Sequence, residues 1–321
     1  MPNLIKKFQN ISRQHSLWQK GSKIVLGVSG GPDSVCMLDI FASLQKKYAL
    51  ELIIAHVNYG LRGKDSDGDE KFVRKLGVKY GIGIEVLNCK SLTPSPSPKG
   101  RGGHFSENAL REIRYTFFEK IRRENDFDSI AVAHNSDDQV ETFLMRLIRG
   151  SGLVGLSAMK FKTGKIIRPL LGIYRKEILE HLDKTHRTYR TDRTNKTAVF
   201  FRNKVRHQLI PQLEKLNPNI KQTIFDATQS IAMENDFIEK SIKKIPKDLS
   251  VQKILSLHPA IQRRIILKKI QAIRGSLKDI SIANVAEILK ALKSTKGKSQ
   301  IVVFKGLKLT RRGDKVIIKR L

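Results

Sequence analysis

Residues 23–40 read KIVLGVSGGPDSVCMLDI, and this stretch carries the signals of a strand, a glycine-rich turn and a helix. The apolar, largely β-branched run over residues 24–28 is typical of a strand that is buried on both faces of a sheet. Apolar residues then recur at helical spacing from Val35 to Phe41. The order strand, turn, helix predicts an α/β fold, and the chain repeats it after residue 40.

The turn between strand and helix, SGGPDS, has the chemistry of a phosphate-binding loop. Its two glycines can adopt a positive φ and expose backbone N–H groups, and its proline suits the first position of a helix, whose N-terminus attracts anions. A tight turn alone would account for Gly-Gly-Pro, but not for the flanking hydroxyls or for Asp33, a carboxylate suited to Mg²⁺. No lysine follows the glycines, which excludes the GxxxxGK loop. We therefore predict that the whole loop binds phosphate: Ser29, Gly30, Gly31, Pro32, Asp33 and Ser34.

The charge balance predicts a polyanionic partner. The 321 residues include 61 Lys and Arg against 30 Asp and Glu, which gives a net charge of +31 and a pI near 10.2. Nucleic acid is the favoured partner; a lysine-rich proteome and an anionic membrane are the alternatives. The membrane is disfavoured because no stretch approaches about 18 consecutive apolar residues. The first residues lack an apolar signal core, and Cys36 and Cys89 form no CxxC site, so we expect a cytoplasmic protein.

Hydrophobic periodicity predicts an α/β protein with a doubly wound, mostly parallel sheet and a second, smaller, mainly helical and basic domain. We place the first domain at residues 1–215 and the second at 216–321. A Pro-, Ser- and Gly-rich insertion over about 91–104 is expected to be a flexible surface loop, although its basic residues could also contact nucleic acid. Further strands are expected at 52–57, 83–87, 129–133, 166–170, 300–304, 307–310 and 315–319. No pattern in the sequence specifies an oligomeric state.

Polar residues gather at the ends of two predicted strands, which is where open α/β sheets bind ligands. Further polar residues lie on two predicted helices. One helix carries Arg111 and Arg114 on one face, which suits either a solvated surface or an anionic cleft. Asp137, Asp138 and Glu141 would favour a helix N-terminus even in an inert protein, but they could also bind Mg²⁺ or accept a proton. The remaining candidates lie at the ends of the second and fourth predicted strands or on the helix that follows the polar loop near residue 195. They are His56, Asn58, Arg62, His134, Arg202, Asn203 and Arg206.

SGGPDS resembles the pyrophosphate-binding loop of the N-type ATP pyrophosphatases, which have the adenine nucleotide alpha hydrolase-like fold. Further blocks in the same order resemble the tRNA(Ile)-lysidine synthetase family over residues 20–215. These blocks are AHVNYGLRG at 55–63, ENALREIRY at 107–115, AVAHNSDDQVETFLMRLIRGSGLVGL at 131–156, RPLL at 168–171 and DRTNKTAVFFRNKVRHQLIPQL at 192–213. Two departures are Tyr59, where the family commonly has His, and the insertion at 91–104. We expect no counterpart here of the separate C-terminal domain that some members of the family have.

The resemblance implies a reaction between ATP, L-lysine and the wobble cytidine of tRNA(Ile). The cytidine C2 carbonyl is adenylated with release of pyrophosphate, and the lysine ε-amine then displaces AMP. It implies that the loop and Asp33 hold the phosphates and Mg²⁺, that Ala55, His56 and Asn58 border the adenosine, and that Asp138 is the catalytic acid position. Asp138 could act as a base or only anchor the ammonium group or the metal. The other implied substrate contacts are Arg62, Arg111, Arg114, His134, Glu141, Arg202, Asn203 and Arg206.

Three other functions compete with this interpretation. A tRNA thiolase of the same loop class generally needs cysteines, and Cys36 and Cys89 lack the required spacing. A small-molecule amide ligase has an amidotransferase partner domain and does not explain the basic charge. A non-catalytic RNA-binding protein would have no need of Asp33 or Asp138.

Overall fold

The computed structural model describes residues 4–61, 63–89, 107–190, 201–243, 250–277, 279–295 and 298–321. Contacts divide the chain into two compact units, Met1–Ala232 and Met233–Leu321. The division falls later than the predicted boundary at residue 215. Ile224 explains the difference, because it packs in one apolar cluster with Val140 and Leu144 of the first unit.

A six-stranded sheet forms the centre of the first unit, with the strand order β3-β2-β1-β4-β6-β5. All neighbours are parallel except β5 and β6. In the register, Leu26 pairs with Ile54 on one side and with Ala131 on the other. The strands are β1 (Lys23–Gly27), β2 (Glu51–Asn58), β3 (Gly83–Asn88), β4 (Ser129–Val132), β5 (Lys162–Thr163) and β6 (Ile166–Ile167). This is the predicted doubly wound α/β fold.

Helices cover both faces of this sheet. Successive side chains of β1 point to opposite faces, and both sets are apolar, so both faces must be covered. Ile24 and Leu26 join the larger apolar cluster, with side chains from α1, α2, α3 and α7, whereas Val25 packs with Phe118 and Ile121 of α4. The helices are α1 (Leu4–Gln14), α2 (Pro32–Tyr48), α3 (Lys64–Tyr80), α4 (Glu107–Glu124), α5 (Ser136–Ile148), α6 (Leu153–Leu156), α7 (Arg175–Lys184), α8 (Phe201–Lys204), a π-helical turn (Val205–Leu209), α9 (Ile210–Leu216) and α10 (Ile220–Lys243).

One predicted strand, 166–170, is wrong in length. Only Ile166 and Ile167 pair in the sheet, and they do so with β4 and with the short antiparallel strand β5, which was not predicted. Pro169 has no N–H group for a ladder, and the chain turns there, with the Leu171 N–H donating to the Arg168 carbonyl.

The second unit has its own apolar core, in which helices pack on one face of a three-stranded antiparallel sheet. The elements are α11 (Val251–Leu255), α12 (Pro259–Arg274), α13 (Ile282–Lys293), β7 (Gln300–Phe304), β8 (Leu307–Arg312) and β9 (Lys315–Arg320). Pro259 begins α12, because proline has no N–H group and suits the first position of a helix. Among the described residues, no helix has the length and apolarity to cross a membrane.

A buried carboxylate, Asp39 on α2, ties three segments of the first unit together. It accepts hydrogen bonds from Tyr80 Oη at 2.6 Å and Arg187 Nε at 2.7 Å, and it lies 3.2 Å from His181 Nε2. Burial by itself would raise the pKa of Asp39, but these partners outweigh burial and bring the pKa down to about 2. The ionised form of Asp39 therefore stabilises the packing of α2 against α3 and α7.

We expect Asp39→Asn to lower the free energy of unfolding at pH 7 by about 2–3 kcal/mol. Because the folded-state pKa is depressed, this stabilisation is present above pH 4 and is lost as the pH falls towards 2. Urea unfolding between pH 4 and pH 2 should show the free energies of unfolding of the wild type and Asp39→Asn converging. Exposed Asp183 on α7 gives the control, since Asp183→Asn should change stability by less than about 0.5 kcal/mol. A difference that did not depend on pH would contradict this account.

Candidate active site

A cavity of about 220 Å³ opens where the strand order reverses between β1 and β4. Open α/β sheets bind ligands at this point, outside the carboxyl ends of the strands. The wall is formed by the loop after β1, the ends of β2 and β4, and one side of α4. The lining residues are Gly27, Val28, Ser29, Gly31, Asp33, Ser34, Val57, Tyr59, Arg114, Phe118, Val132, Ala133 and His134. The structure thus brings the glycine-rich loop together with His134 and Arg114.

The SGGPDS loop is held by its own hydroxyls. The Oγ atoms of Ser29 and Ser34 lie 3.2 Å apart, and Ser34 Oγ donates to the Gly31 carbonyl at 2.9 Å. Pro32 takes the first helical position, as predicted. Of the two glycines in this loop, Gly30 has a positive φ, +88°, whereas Gly31 is extended at φ −73° and caps α2. The loop therefore directs a helix N-terminus and two hydroxyls towards the cavity.

Gly30→Ala is expected to lower the free energy of unfolding by about 1–2 kcal/mol, because alanine is strained in the left-handed region. The added Cβ would meet Phe72 and Val73 at 3.4 Å, which is ordinary contact, so backbone strain carries the cost. Gly31→Ala is the matched control, since its φ suits any residue and its Cβ would lie 3.6 Å from Ser29 Oγ. Thermal unfolding measures the stability of both variants. Equal losses of stability would contradict the assignment of backbone strain to position 30.

Asp33 is the carboxylate that fits a phosphate-bound metal. Its Oδ2 accepts from Arg175 Nη1 at 2.8 Å, and its Oδ1 accepts from Asn135 Nδ2 at 3.1 Å. Burial raises the pKa of Asp33, the Arg175 guanidinium opposes that shift, and the negative charge of Asp138 adds to it. Within the described ranges, no group of three His, Cys, Asp or Glu side chains could hold a metal by itself. A Mg²⁺ carried by a triphosphate takes only one or two protein carboxylates, so this donor set fits such an ion and not an all-protein site.

The residues predicted to border the adenosine face elsewhere. His56 is buried, its Nδ1 lies 2.8 Å from the Val28 carbonyl, and burial lowers its pKa. Asn58 donates to Asp67 and Glu70 of α3. Ala55 is fully buried in the core. The cavity is lined instead by Val57 and by Tyr59, which directly follows β2. His56 and Asn58 point to the opposite face of the sheet from Val57, because successive side chains of a strand alternate, whereas Ala55 shares the face of Val57 but is covered by the core. The geometry therefore favours Val57 and Tyr59 as the ligand-facing residues at the end of β2.

Two carboxylates and two arginines form a network at the start of α5. Asp138 Oδ2 accepts from the Asn135 N–H at 3.0 Å, and its Oδ1 accepts from Arg202 Nη2 at 2.7 Å. Glu141, which is 1% exposed, accepts from Arg202 Nε at 2.7 Å and from Arg206 Nε at 2.5 Å. The structure thus pairs Arg202 and Arg206 with carboxylates, so contact with RNA phosphate would have to compete with these bonds. Asn203 lies beside Arg202 on α8 and is half-buried.

Positive charge collects on the other side of the cavity. Three buried nitrogens there, Arg114 Nε, His134 Nδ1 and Arg168 Nε, have no hydrogen-bond partner among the described residues. Burial and the nearby guanidinium groups of Arg168, Arg111 and Arg114 hold the pKa of His134 well below its usual range. Arg111 lies over the Tyr115 ring at 5.0 Å. An anion in the cavity would satisfy Arg114 and His134, which supports the cleft over the solvated face as the role of Arg114. Arg111 is exposed and does not line the cavity.

Sequence reasoning missed three residues of this site: Asn135, Arg168 and Arg175. Asn135 and Arg168 follow strand ends, which is the signal that could have found them. Arg175 opens α7, and nothing local shows that it reaches Asp33, 142 residues earlier. Predicted contact Arg62 and the insertion at 91–104 lie outside the described residues.

Comparison with known proteins gives the family. A family model described as a PP-loop domain matches residues 2–213. The tRNA(Ile)-lysidine synthase of Clostridioides difficile (strain 630) is 31% identical over 328 aligned positions, covering 98% of this chain and 70% of that protein. This chain belongs to the tRNA(Ile)-lysidine synthase family. The tRNA(Ile)-lysidine synthase of Clostridium tetani (strain Massachusetts / E88) is 36% identical over 300 positions, which cover 90% of this chain and 63% of that protein. The chain thus spans about two thirds of the length of these relatives.

A solved structure supports the fold of this tRNA(Ile)-lysidine synthase family member. The U34-tRNA thiolase NcsA from Methanococcus maripaludis, solved with its 4Fe-4S cluster, superimposes with a TM-score of 0.58 at 23% identity. The match covers 72% of this chain and 78% of the thiolase chain. At this identity the likeness shows a shared fold and does not transfer the thiolase activity.

Proposed function

We propose that this chain ligates L-lysine to C2 of the wobble cytidine of tRNA(Ile), at the expense of ATP. Membership in the lysidine synthase family supports the reaction, and the position of Asn135 is the observation that carries it to these residues. The Asn135 side chain donates to Asp33, and its backbone N–H donates to Asp138. One residue therefore joins the carboxylate beside the phosphate loop to the proposed catalytic carboxylate, as two consecutive reactions in one cavity require.

The first reaction is adenylation of the RNA. The cytidine C2 carbonyl oxygen attacks the α-phosphorus of ATP, and the bond to pyrophosphate breaks. The hydroxyls of Ser29 and Ser34 and the N-terminus of α2 would bind the leaving pyrophosphate, whose negative charge grows as the bond breaks. A bound Mg²⁺ would neutralise part of that charge, and Asp33 is the carboxylate placed to hold it. For this, Asp33 must exchange its bond with Arg175, which can then pair with phosphate.

The second reaction transfers lysine. The ε-amine attacks C2, AMP leaves, and the amine loses a proton. With a pKa of about 10.4, the free amine is neutral to only a few parts in ten thousand at pH 7, so a nearby base would accelerate the step. We assign this role to Asp138, which Asn135 and Arg202 hold in one orientation. Glu141, which is buried and bonded by Arg202 and Arg206, would fix the arginine that orients Asp138.

The cationic group around His134 gives the site a place for a second anion. Either the phosphate of the adenylated base or the carboxylate of lysine would meet Arg114 and His134 there. Because the pKa of His134 is depressed, its ring is neutral at pH 7 and would contact such an anion only as a hydrogen-bond donor.

The cysteines give no support to a thiolase. Cys36 is buried in α2 and its thiol has a raised pKa, because burial disfavours the thiolate. Burial also raises the pKa of Cys89, and neither sulfur lines the cavity. Thiolates are the nucleophiles that sulfur transfer needs, and these two groups are held in the thiol form.

Labelled lysine tests the proposal. The full chain should incorporate it into unmodified tRNA(Ile) only when ATP and Mg²⁺ are both present. A tRNA(Ile) with uridine at the wobble position is the matched control and should stay unlabelled. Incorporation without ATP, or none with a folded chain that binds the RNA, would reject the proposed reaction.

A further inference from the structure

An exposed stack of an arginine on an aromatic ring lies at the end of α5. Arg149 caps that helix, and its guanidinium carbon lies 5.3 Å from the centre of the Phe201 ring. Phe201 is the first residue of α8 and is 37% exposed. Large apolar side chains are usually buried, so a partly open aromatic ring under an exposed guanidinium is unusual.

Three more large apolar side chains are exposed near the end of α5 and on α6: Leu147, Ile148 and Val154, which are 50%, 55% and 44% exposed. The short helix α6 is fastened to α5, because Arg146 Nη1 donates to the Gly155 and Ala158 carbonyls at 2.8 and 2.9 Å. Single exposed apolar residues need no explanation, but a fixed group of them marks an interaction surface. We call Leu147, Ile148, Arg149, Val154 and Phe201 the Arg149 surface.

The Arg149 surface is connected to the proposed active site through two elements. Phe201 directly precedes Arg202, whose guanidinium bonds Asp138 and Glu141. Arg149 follows the helix that begins beside Asp138, and at 1.5 Å per residue it lies about 16 Å farther along the axis. An RNA strand that continues from a nucleotide at Asp138 past Phe201 would therefore reach this surface.

The local charge selects the kind of partner. From Thr142 to Lys176 the sequence has no Asp or Glu, whereas it includes Arg146, Arg149 and several further basic residues. An aromatic face combined with an uncompensated guanidinium matches single-stranded nucleic acid, whose bases stack and whose phosphates attract cations. An apolar protein partner would gain nothing from this concentration of positive charge.

We propose that the Arg149 surface is a stacking site for an unpaired base of the RNA substrate, adjacent to the cytidine that is modified. Phe201 supplies the ring on which the base stacks, and Arg149 contacts the base and the phosphate beside it. The proposal rests on the proposed function, because it takes an RNA with an unpaired loop to be the substrate.

The test uses the full chain and an anticodon hairpin that contains the wobble cytidine. Phe201→Leu keeps an apolar side chain but removes the aromatic face, and it should weaken hairpin binding about tenfold to a hundredfold. Phe201→Trp should restore binding. Phe237→Ala removes a phenylalanine that is 72% exposed on α10, and it should leave hairpin binding unchanged. Thermal unfolding of each variant shows whether it is folded.

Abasic hairpins identify the base. Removing the base on one side of the cytidine should weaken hairpin binding by the wild-type chain as much as Phe201→Leu does. The same abasic hairpin should bind the Phe201→Leu variant no more weakly than the intact hairpin does. Equal binding by the wild type and the Leu variant, or an abasic penalty that persists in full in that variant, would overturn the proposal. Lysine incorporation by the wild type is measured separately. Its absence alongside an intact stacking effect would reject the proposed reaction and keep the stacking site.

Discussion

Asp138→Asn is expected to slow lysine transfer to adenylated tRNA by about a hundredfold to ten-thousandfold, the usual contribution of a general base. The amide oxygen can still accept the bond from the Asn135 N–H, but the amide nitrogen is a donor and cannot accept the bond from Arg202. Arg202 keeps its bond to Glu141, so the start of α5 should stay folded, which thermal unfolding of the variant checks. What the substitution removes is the carboxylate that we propose takes the proton from the lysine amine. The measurement is a single turnover with RNA that has been adenylated in advance, so that only the second reaction is observed.

The adjacent residue provides a matched control. Asp137 lies on the same helical turn, but it accepts from the Arg175 N–H at 2.8 Å and pairs with Lys221 at 3.4 Å. Asp137→Asn removes the same charge and should change the transfer rate by no more than a few-fold. A transfer rate for Asp138→Asn equal to that of the wild type would show that Asp138 only anchors a substrate.

Asp33→Asn should have the opposite pattern. It removes the carboxylate beside the leaving pyrophosphate, so RNA adenylation in the absence of lysine should slow by about a hundredfold to a thousandfold. Transfer to RNA that is already adenylated should be nearly unchanged, because pyrophosphate has left before that step. The two variants together separate the two reactions in one cavity.

Stability distinguishes this loss from misfolding. Because the pKa of Asp33 is raised in the folded state, ionised Asp33 costs stability at neutral pH, and the cost disappears as the pH falls below the unfolded-state pKa. Asp33→Asn removes that cost, so its thermal midpoint at pH 7 should equal or exceed that of the wild type. A variant that adenylates RNA at the normal rate, or that loses both reactions and melts early, would contradict the assigned role.

The parts of this molecule that could be predicted are those encoded over short distances in the sequence. The loop from Ser29 to Ser34 is contiguous, so its chemistry and its helix start are visible in the order of the residues alone. The parallel sheet follows from apolar runs that alternate with helical patterns. The same signals place polar residues at strand ends, and the loop and His134, which follow two of these strands, both line the cavity.

The parts that could not be predicted depend on contacts between distant residues. A polar side chain at a strand end can face the ligand or pack against the protein, and the sequence does not distinguish the two. His56 contacts the Val28 carbonyl and Asn58 donates to Asp67 of α3, so both pack against the protein. Arg202 bonds Asp138 across 64 residues and Arg175 bonds Asp33 across 142, so their pairing depends on how the helices pack. Those contacts changed our expectation for Arg202 and Arg206 from RNA ligands to partners of Asp138 and Glu141.

The central claim is that one cavity first adenylates an RNA base and then exchanges the adenylate for lysine. ATP labelled at its α-phosphorus tests it most directly, in a reaction with tRNA(Ile) from which lysine is omitted. We expect the label to appear on the RNA and to leave it as AMP when unlabelled lysine is added. Label that appears on lysine in a reaction without RNA, or RNA that stays unlabelled until lysine is added, would contradict this order of reactions.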